Sequence, residues 1–248
     1  MLQDILDERL KKLERYKAAA DPYPARVKRD FPIENALQKF SSLQRNRKKL
    51  SLAGRVTGLR KQGKLIFADL EDESGKIQAV LKEDALPNFS LLEETADVGD
   101  FLEVQGALFK TKKGEKSVLA EKARIIVKSL RPIPQKFYGL KDSETRLRER
   151  YLELLLNQDV KDLFRKKARF WDIIRLFLKE RGFLEVETPV FEAMPGGADA
   201  EPFITHHNRL NEDFYLRISL ELSLKKIVVG GFEKVFEIGR IFRNEGID

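Results

Sequence analysis

Cysteine is absent from the 248-residue sequence, histidine occurs only as the adjacent pair His206 and His207, and there are two methionines and one tryptophan. Without a thiol there is no disulfide and no thiolate nucleophile. Two histidines without cysteine cannot build the usual Cys/His zinc site, so no metal site is expected from these residues. No run of about 18 apolar residues occurs, so a membrane-spanning helix is not expected. The N-terminal MLQDILDERLKKLERYK mixes charges along its length and lacks the apolar stretch of a secretory signal. Neither glycine-rich phosphate loop, GxGxxG or GxxxxGK[ST], is present, which leaves both familiar nucleotide folds unsupported. What remains, 42% hydrophobic and 35% charged, reads as a globular cytoplasmic protein.

The net charge of +7 is unevenly spread. Residues 1–50 carry 13 Lys and Arg against 7 Asp and Glu, including Arg45, Arg47, Lys48 and Lys49, whereas residues 51–130 carry 13 of each. A basic segment of this kind suits a polyanion such as nucleic acid, and it equally suits a solvated charged helix. Leu2, Ile5, Leu6, Leu10 and Leu13 recur at helical spacing, predicting a helix over residues 1–20 that DPYP ends. A second short helix is expected around Ile33–Leu43.

From Leu52 to Leu130 the pattern changes to short strands: 52–59, 64–71, 76–81, 100–109 and 116–128, with a helical insert at 88–96 after the third. Five strands with a helix after the third is the order of an OB-fold barrel. Within the second and third strands, Ile66, Ala68 and Leu70, and Ile77, Ala79 and Leu81, form wholly apolar sets. If these face the core, Phe67, Lys76 and Gln78 face outward, with Phe67 opposite or diagonal to Gln78. An exposed aromatic beside an amide can stack on and read single-stranded bases. The plainer alternative is a surface phenylalanine covered by a loop.

RPIPQKFYGL (131–140) reads as a proline-bearing linker, followed by a charged helix over 143–157 and a long helix over 159–181. Leu163, Phe164, Trp171, Ile174, Phe177 and Leu178 mark a broad apolar face on the latter. FLEVETPVF reads as a strand that Pro189 limits. Strands are further expected at 202–205, 213–218 and 233–244, with a helix in SLELSLKKIVVGG. In the last strand, alternation puts Phe236, Ile238 and Phe242 on one face and Glu237, Arg243 and Glu245 together on the other. An arginine so held can grip a phosphate bidentately while a carboxylate accepts from an amino group, a nucleotide site without a glycine loop. Taken alone, the run is also compatible with a solvated hairpin end.

With GFLEVETP, PGGADAEPFITHHN, LRISLELSLK and VVGGFEKVFEIGRIFRNEGID in this order, the chain resembles the class II aminoacyl-tRNA synthetases, and within subclass IIb the lysyl-tRNA synthetases. The resemblance implies an α+β protein: a basic helical extension (1–50), a five-stranded OB-fold β-barrel that binds the anticodon (51–131), a linker and helix (132–158), and part of a class II catalytic domain, an antiparallel sheet with helices (159–248). It implies ligation of L-lysine to tRNA(Lys) through a lysyl-adenylate, with ATP as substrate and Mg2+ held by residues beyond these. By matching positions, Arg243 would hold the α-phosphate and stabilise charge building there, with Asn244 and Glu245 at the adenine. Gly197 and Glu221 would hold the amino acid's α-amino end, and Arg60, Phe67 and Gln78 the anticodon. GFLEVETP and its helix look like the first class II motif, which implies a homodimer. VFEIGRIFRNEG looks like the second motif; the third is not in this sequence, so the chain is expected to be a piece of the enzyme and inactive alone.

Where this sequence departs from the pattern, Leu220 and Ser223 stand for the usual Pro and Tyr around Glu221. Lys122 stands for a barrel glutamate, with Glu121 one position before it, and that contact stays unassigned. His206 and His207 are expected to be structural. Other functions are a non-catalytic OB-fold paralogue that binds tRNA or single-stranded nucleic acid, or an asparaginyl- or aspartyl-tRNA synthetase. The last two generally carry Gln at the position of Glu221. The lysyl transferase acting on elongation factor P lacks the barrel.

Overall fold

The computed structural model describes residues 2–134 and 142–246, arranged as two units, residues 1–148 and 149–248. Most of the expected linker, residues 135–140, lies outside the described residues, as do Lys141 and the last two residues. The first unit runs α1 (Leu2–Lys17), α2 (Ile33–Gln38), α3 (Phe40–Arg45), β1 (Lys49–Gln62), β2 (Leu65–Glu71), β3 (Lys76–Lys82), α4 (Phe89–Thr95), β4 (Phe101–Lys110), β5 (Lys116–Val127) and α5 (Ser143–Arg148).

The strands pair in the order β1-β2-β3-β5-β4, and β4 returns to β1, so the sheet closes into a barrel. All pairings are antiparallel except β3 with β5. Period-two alternation fills the interior: Ile66, Ala68, Leu70, Ile77, Ala79 and Leu81 are all buried, with Leu102, Val104, Val118 and Ile125 from the other strands. β5 carries two irregularities, one opposite Phe101–Leu102 and one opposite Gln105–Gly106. Gln105 pairs with Lys122 but Gly106 pairs with Ala120, so Glu121 is the extra residue of a β-bulge. Inward residues accordingly shift phase from Val118 and Ala120 to Ala123 and Ile125, and Glu121 and Lys122 both stay on the outside. Gly106 permits this, since a Cβ there would lie 1.8 Å from the Leu119 carbonyl oxygen.

α1 docks by a different face from the one its leucines suggest. Arg9, Leu13 and Tyr16 are buried, while Leu2, Ile5 and Leu10 are exposed. The polar tips decide this. Arg9 donates to the carbonyls of Ser129 and Val98 at 2.8 and 3.0 Å, and the Tyr16 hydroxyl accepts from the Ile125 amide at 2.9 Å. Burial raises the Tyr16 pKa above its ordinary value, against the hydrogen bond with the Ile125 backbone and the charge of Arg124. The helix expected over 33–43 is two, broken at Lys39.

Asp72 ties the start of α2 to the β2–β3 turn. It accepts from the Ile33 amide at 2.9 Å, from the Ser74 amide and hydroxyl at 2.8 and 2.6 Å, and from Arg29 at 2.5 Å. Burial alone would raise its pKa, but the Ser74, Ile33 and Gly75 donors outweigh it and the net shift is downward. A lowered folded-state pKa means stabilisation that is present above the unfolded value and lost as pH falls through the folded one. Asp72→Asn is therefore expected to cost about 1–3 kcal/mol near neutral pH. The gap to the parent should close below the ordinary carboxylate range, as read by urea unfolding at several pH values. A gap that does not change with pH would contradict this.

The second unit runs α6 (Arg150–Leu156), α7 (Gln158–Glu180), β6 (Leu184–Glu185), β7 (Phe191–Glu192), β8 (Ile204–His207), β9 (Glu212–Leu216), α8 (Glu221–Val229) and β10 (Val235–Phe236). The single helix expected over 143–157 is interrupted at Glu149, and the Asn157 side chain caps α7 by accepting from the Asp159 amide. On α7, Leu163, Phe164, Trp171 and Phe177 are exposed in this chain. β7, β9 and β8 form an antiparallel sheet, and β10 pairs in parallel with β6. The strand expected over 183–191 is split around Pro189 into β6 and β7. The last expected strand, 233–244, is cut to Val235–Phe236.

Hydrogen bonds to the side chain and backbone of Arg217 replace the ladder beyond Phe236. Arg217 donates to the Arg240 carbonyl at 2.9 Å and to Glu237 Oε1 at 2.6 Å, and the Phe242 amide donates to the Arg217 carbonyl at 2.9 Å.

Candidate functional site

On the barrel's outer face, cross-strand pairing aligns Arg60 with Phe67 and Phe67 with Val80. The next row aligns Gly58 with Asp69, Asp69 with Gln78, and Gln78 with Ser117. Phe67 and Gln78 are thus diagonal neighbours on one face, both half-buried. The Arg60 guanidinium lies 6.0 Å from the Phe67 ring centroid and 3.5 Å from the Asp69 carboxylate. Asp69, which the sequence did not single out, has room because Gly58 has no side chain: a Cβ there would meet its Oδ2 at 2.5 Å. The Ser117 hydroxyl donates to Gln78 Oε1 at 3.3 Å and holds the amide's orientation. An open ring, an amide and a guanidinium on a rigid sheet form a surface on which a base can stack and be read at its edge. Glu121, out on the bulge, pairs with Lys49 at 2.6 Å.

In the second unit, one loop gathers the other candidates. Gly197 sits at φ +84°, and a Cβ there would lie 3.1 Å from Ser219 and 3.3 Å from Glu221 Cβ. Both its backbone conformation and its closeness to the start of α8 require glycine. Four residues on, Glu201 accepts from the Asn244 amide at 2.8 Å and donates its own amide to Glu245 Oε1 at 3.1 Å. The 195–201 loop therefore touches both the Glu221 helix turn and the Asn244–Glu245 segment. Glu221 begins α8, where its amide donates to the Ser219 hydroxyl, and its carboxylate pairs with Lys225 at 2.6 Å. Leu220 caps α8 without a side-chain bond, and the Ser223 hydroxyl reaches Glu192 at 3.5 Å. Arg243 is exposed.

The expectation that Glu237 shares a face with Arg243 and Glu245 is corrected. The Glu237 side chain is 3% exposed and bound to Arg217, itself 4% exposed. Glu237 Oε2 accepts from the Thr188 amide and hydroxyl, and Arg217 also donates to the Thr188 carbonyl. Once the backbone leaves strand geometry after Phe236, alternation no longer assigns faces. Arg217, invisible as an ordinary charge in the sequence, fixes the path of the segment that carries Arg243. His206 pairs with Asp213 across β8 and β9 at 2.8 Å, and the His207 ring lies 5.9 Å from that of Phe214. Among the described residues no group of three or more His, Asp or Glu side chains is placed to hold a metal ion. Nor is any described helix long and apolar enough to cross a membrane.

Comparison with known proteins matches residues 142–248 to the family described as tRNA synthetases class II (D, K and N), and residues 50–126 to the OB-fold nucleic acid binding domain. The chain is 47% identical over 251 residues to a lysine–tRNA ligase of Roseiflexus sp. (strain RS-1), covering 100% of this chain and 51% of that protein. It is 45% identical over 237 residues to that of Magnetococcus marinus, covering 93% and 47%. With the Clostridium botulinum (strain Hall) protein the identity is 45% over 248 residues, covering 99% and 49%. The chain spans about half the length of the curated relatives it matches. Residues 142–248 thus belong to the class II tRNA synthetases of the D, K and N group, with an OB-fold nucleic acid binding domain ahead of them at residues 50–126.

Proposed function

We propose that the protein carrying this chain ligates L-lysine to tRNA(Lys) by way of a lysyl-adenylate made from ATP. The observation that carries the reading is the seat of Gly197 against the first turn of α8, which brings its backbone close to Glu221 Cβ. The Glu221 carboxylate, which pairs with Lys225 in this chain, would turn to the α-ammonium of the amino acid, and a carboxylate suits it better than the amide usual in aspartate- and asparagine-specific relatives. Similarity to lysine–tRNA ligases along nearly the whole chain supports the same choice. Arg243 would hold the α-phosphate and the amino acid's carboxylate, Asn244 and Glu245 the adenine, and Arg60, Phe67 and Gln78 the anticodon. Mg2+ would accompany ATP, and among the described residues no group of three or more His, Asp or Glu side chains is placed to hold it. The exposed apolar side of α7 supports pairing of two copies through the first motif. Such an enzyme would act in the cytoplasm, with tRNA.

The test is amino-acid-dependent ATP–diphosphate exchange by the chain continued to the length of its relatives. Lysine should support exchange while aspartate and asparagine do not. Exchange driven by either of those instead would overturn the lysine assignment. If no amino acid drives exchange while tRNA still binds, the non-catalytic nucleic-acid-binding reading takes its place.

A further inference from the structure

Five cations near the barrel's outer face are ion-paired: Arg60 with Asp69, Lys49 with Glu121, Lys64 with Glu83, Lys76 with Glu71 and Arg29 with Asp72. Lys39, Lys48 and Lys116 differ. All three are exposed, and among the described residues none has an ion pair. Each stands over an aromatic ring instead. Lys39 and Lys48 share Phe31, at 5.5 and 6.0 Å from its centroid, and Lys116 lies 5.4 Å from the centroid of Phe40. A ring fixes an ammonium's position without cancelling its charge.

These residues form a continuous path from the base-reading face. Lys116 precedes Ser117, which pairs with Gln78 in register and bonds to its amide. The ring beneath Lys116 belongs to Phe40, which follows Lys39, and the ring beneath Lys39 also seats Lys48. The strip thus begins beside Gln78 and runs over α3 to the start of β1. Arg45 and Arg47, exposed in the same segment, add to its charge. Fixed, uncompensated ammonium groups in a row beside a stacking surface match the spaced phosphates of an RNA strand whose bases lie on that surface.

We propose that Lys39, Lys48 and Lys116 hold the RNA backbone that flanks the bases read by Phe67 and Gln78, so that the α2–α3 segment is part of the RNA interface. This rests on the reading of the barrel as the tRNA-binding surface.

The experiment measures binding of this chain to a tRNA(Lys) transcript across a salt series. The variants are the triple Lys39→Gln/Lys48→Gln/Lys116→Gln, the matching triple to Arg, and Phe67→Ala. The Gln triple should bind more weakly, with the slope of log affinity against log salt reduced by about 2 to 3, and the Arg triple should restore both. Phe67→Ala should weaken binding about 5- to 150-fold with the slope kept. Thermal melting of the triples should match the parent, since all three side chains are on the surface. If Phe67→Ala weakens binding while the Gln triple leaves the slope unchanged, the strip is only a solvated face and the inference falls, with the barrel reading intact. If neither substitution changes affinity, the barrel reading fails and takes the inference with it.

Discussion

Arg243→Ala, in the chain continued to the length of its relatives, is expected to lower lysine-dependent ATP–diphosphate exchange by about 10³-fold or more. The guanidinium would meet charge that builds on the α-phosphate only as the adenylate forms, so the loss should fall on kcat and kcat/KM together. Folding should be unaffected. Arg243 is exposed, and its segment is held by neighbours: the Asn244 amide and Glu245 carboxylate on Glu201, and the Phe242 amide on Arg217. Arg243→Lys should recover little, because a single ammonium cannot reproduce a bidentate grip. Binding of tRNA should also stay at the parental level. Exchange within about tenfold of the parent would remove Arg243 from the reacting centre.

Lys128→Met is expected to cost about 3–5 kcal/mol of stability in the barrel unit. The Lys128 side chain is 0% exposed, with Nζ 2.6 Å from Asp97, 2.8 Å from Asp100 and 2.7 Å from the Thr95 carbonyl, so all three donors are used. Asp100, also 0% exposed, has its pKa pushed up by burial against the pull of Lys128, while its oxygens accept from the amides of Asp97 and Ser129. Methionine fills the volume but leaves Asp100 without a counter-charge, so the deficit should shrink at acid pH as the carboxyl takes a proton. Asp97 also receives Lys12 from α1 at 2.6 Å, so the same substitution should loosen that helix. Urea unfolding followed by circular dichroism checks both, and the double substitution Lys128→Met/Asp100→Leu should recover part of the loss. A cost below about 1 kcal/mol for Lys128→Met would show that the charges are not the anchor described.

Several features are legible in the sequence alone. The apolar sets of β2 and β3 were legible because a two-residue period assigns faces without knowledge of the partner strand, so Phe67 and Gln78 were expected as opposite or diagonal neighbours, and the strand register makes them diagonal. The long helix α7 was legible from its apolar spacing. Gly197 was legible only through resemblance; the structure adds the reason, a positive φ and a neighbouring helix turn that leave no space for a Cβ.

Other features were beyond reach. Glu121 and Lys122 lie at a bulge, which adds one residue to the strand and leaves both side chains outside, and local periodicity cannot place a bulge. The buried face of α1 could not be read from its leucines, because Arg9 and Tyr16 dock through backbone groups more than 100 residues away. Arg217, Glu237, Lys128 and Asp100 looked like ordinary charges because burial belongs to the folded chain.

By itself, the sequence determined which segments alternate, which are amphipathic and which residue types stand in the site, because these depend on spacing along the chain. Tertiary structure alone decided which charges are buried, where the last strand ends and which cations stay uncompensated. Those outcomes depend on partners distant in sequence, and the free energy of a charge is set by what surrounds it.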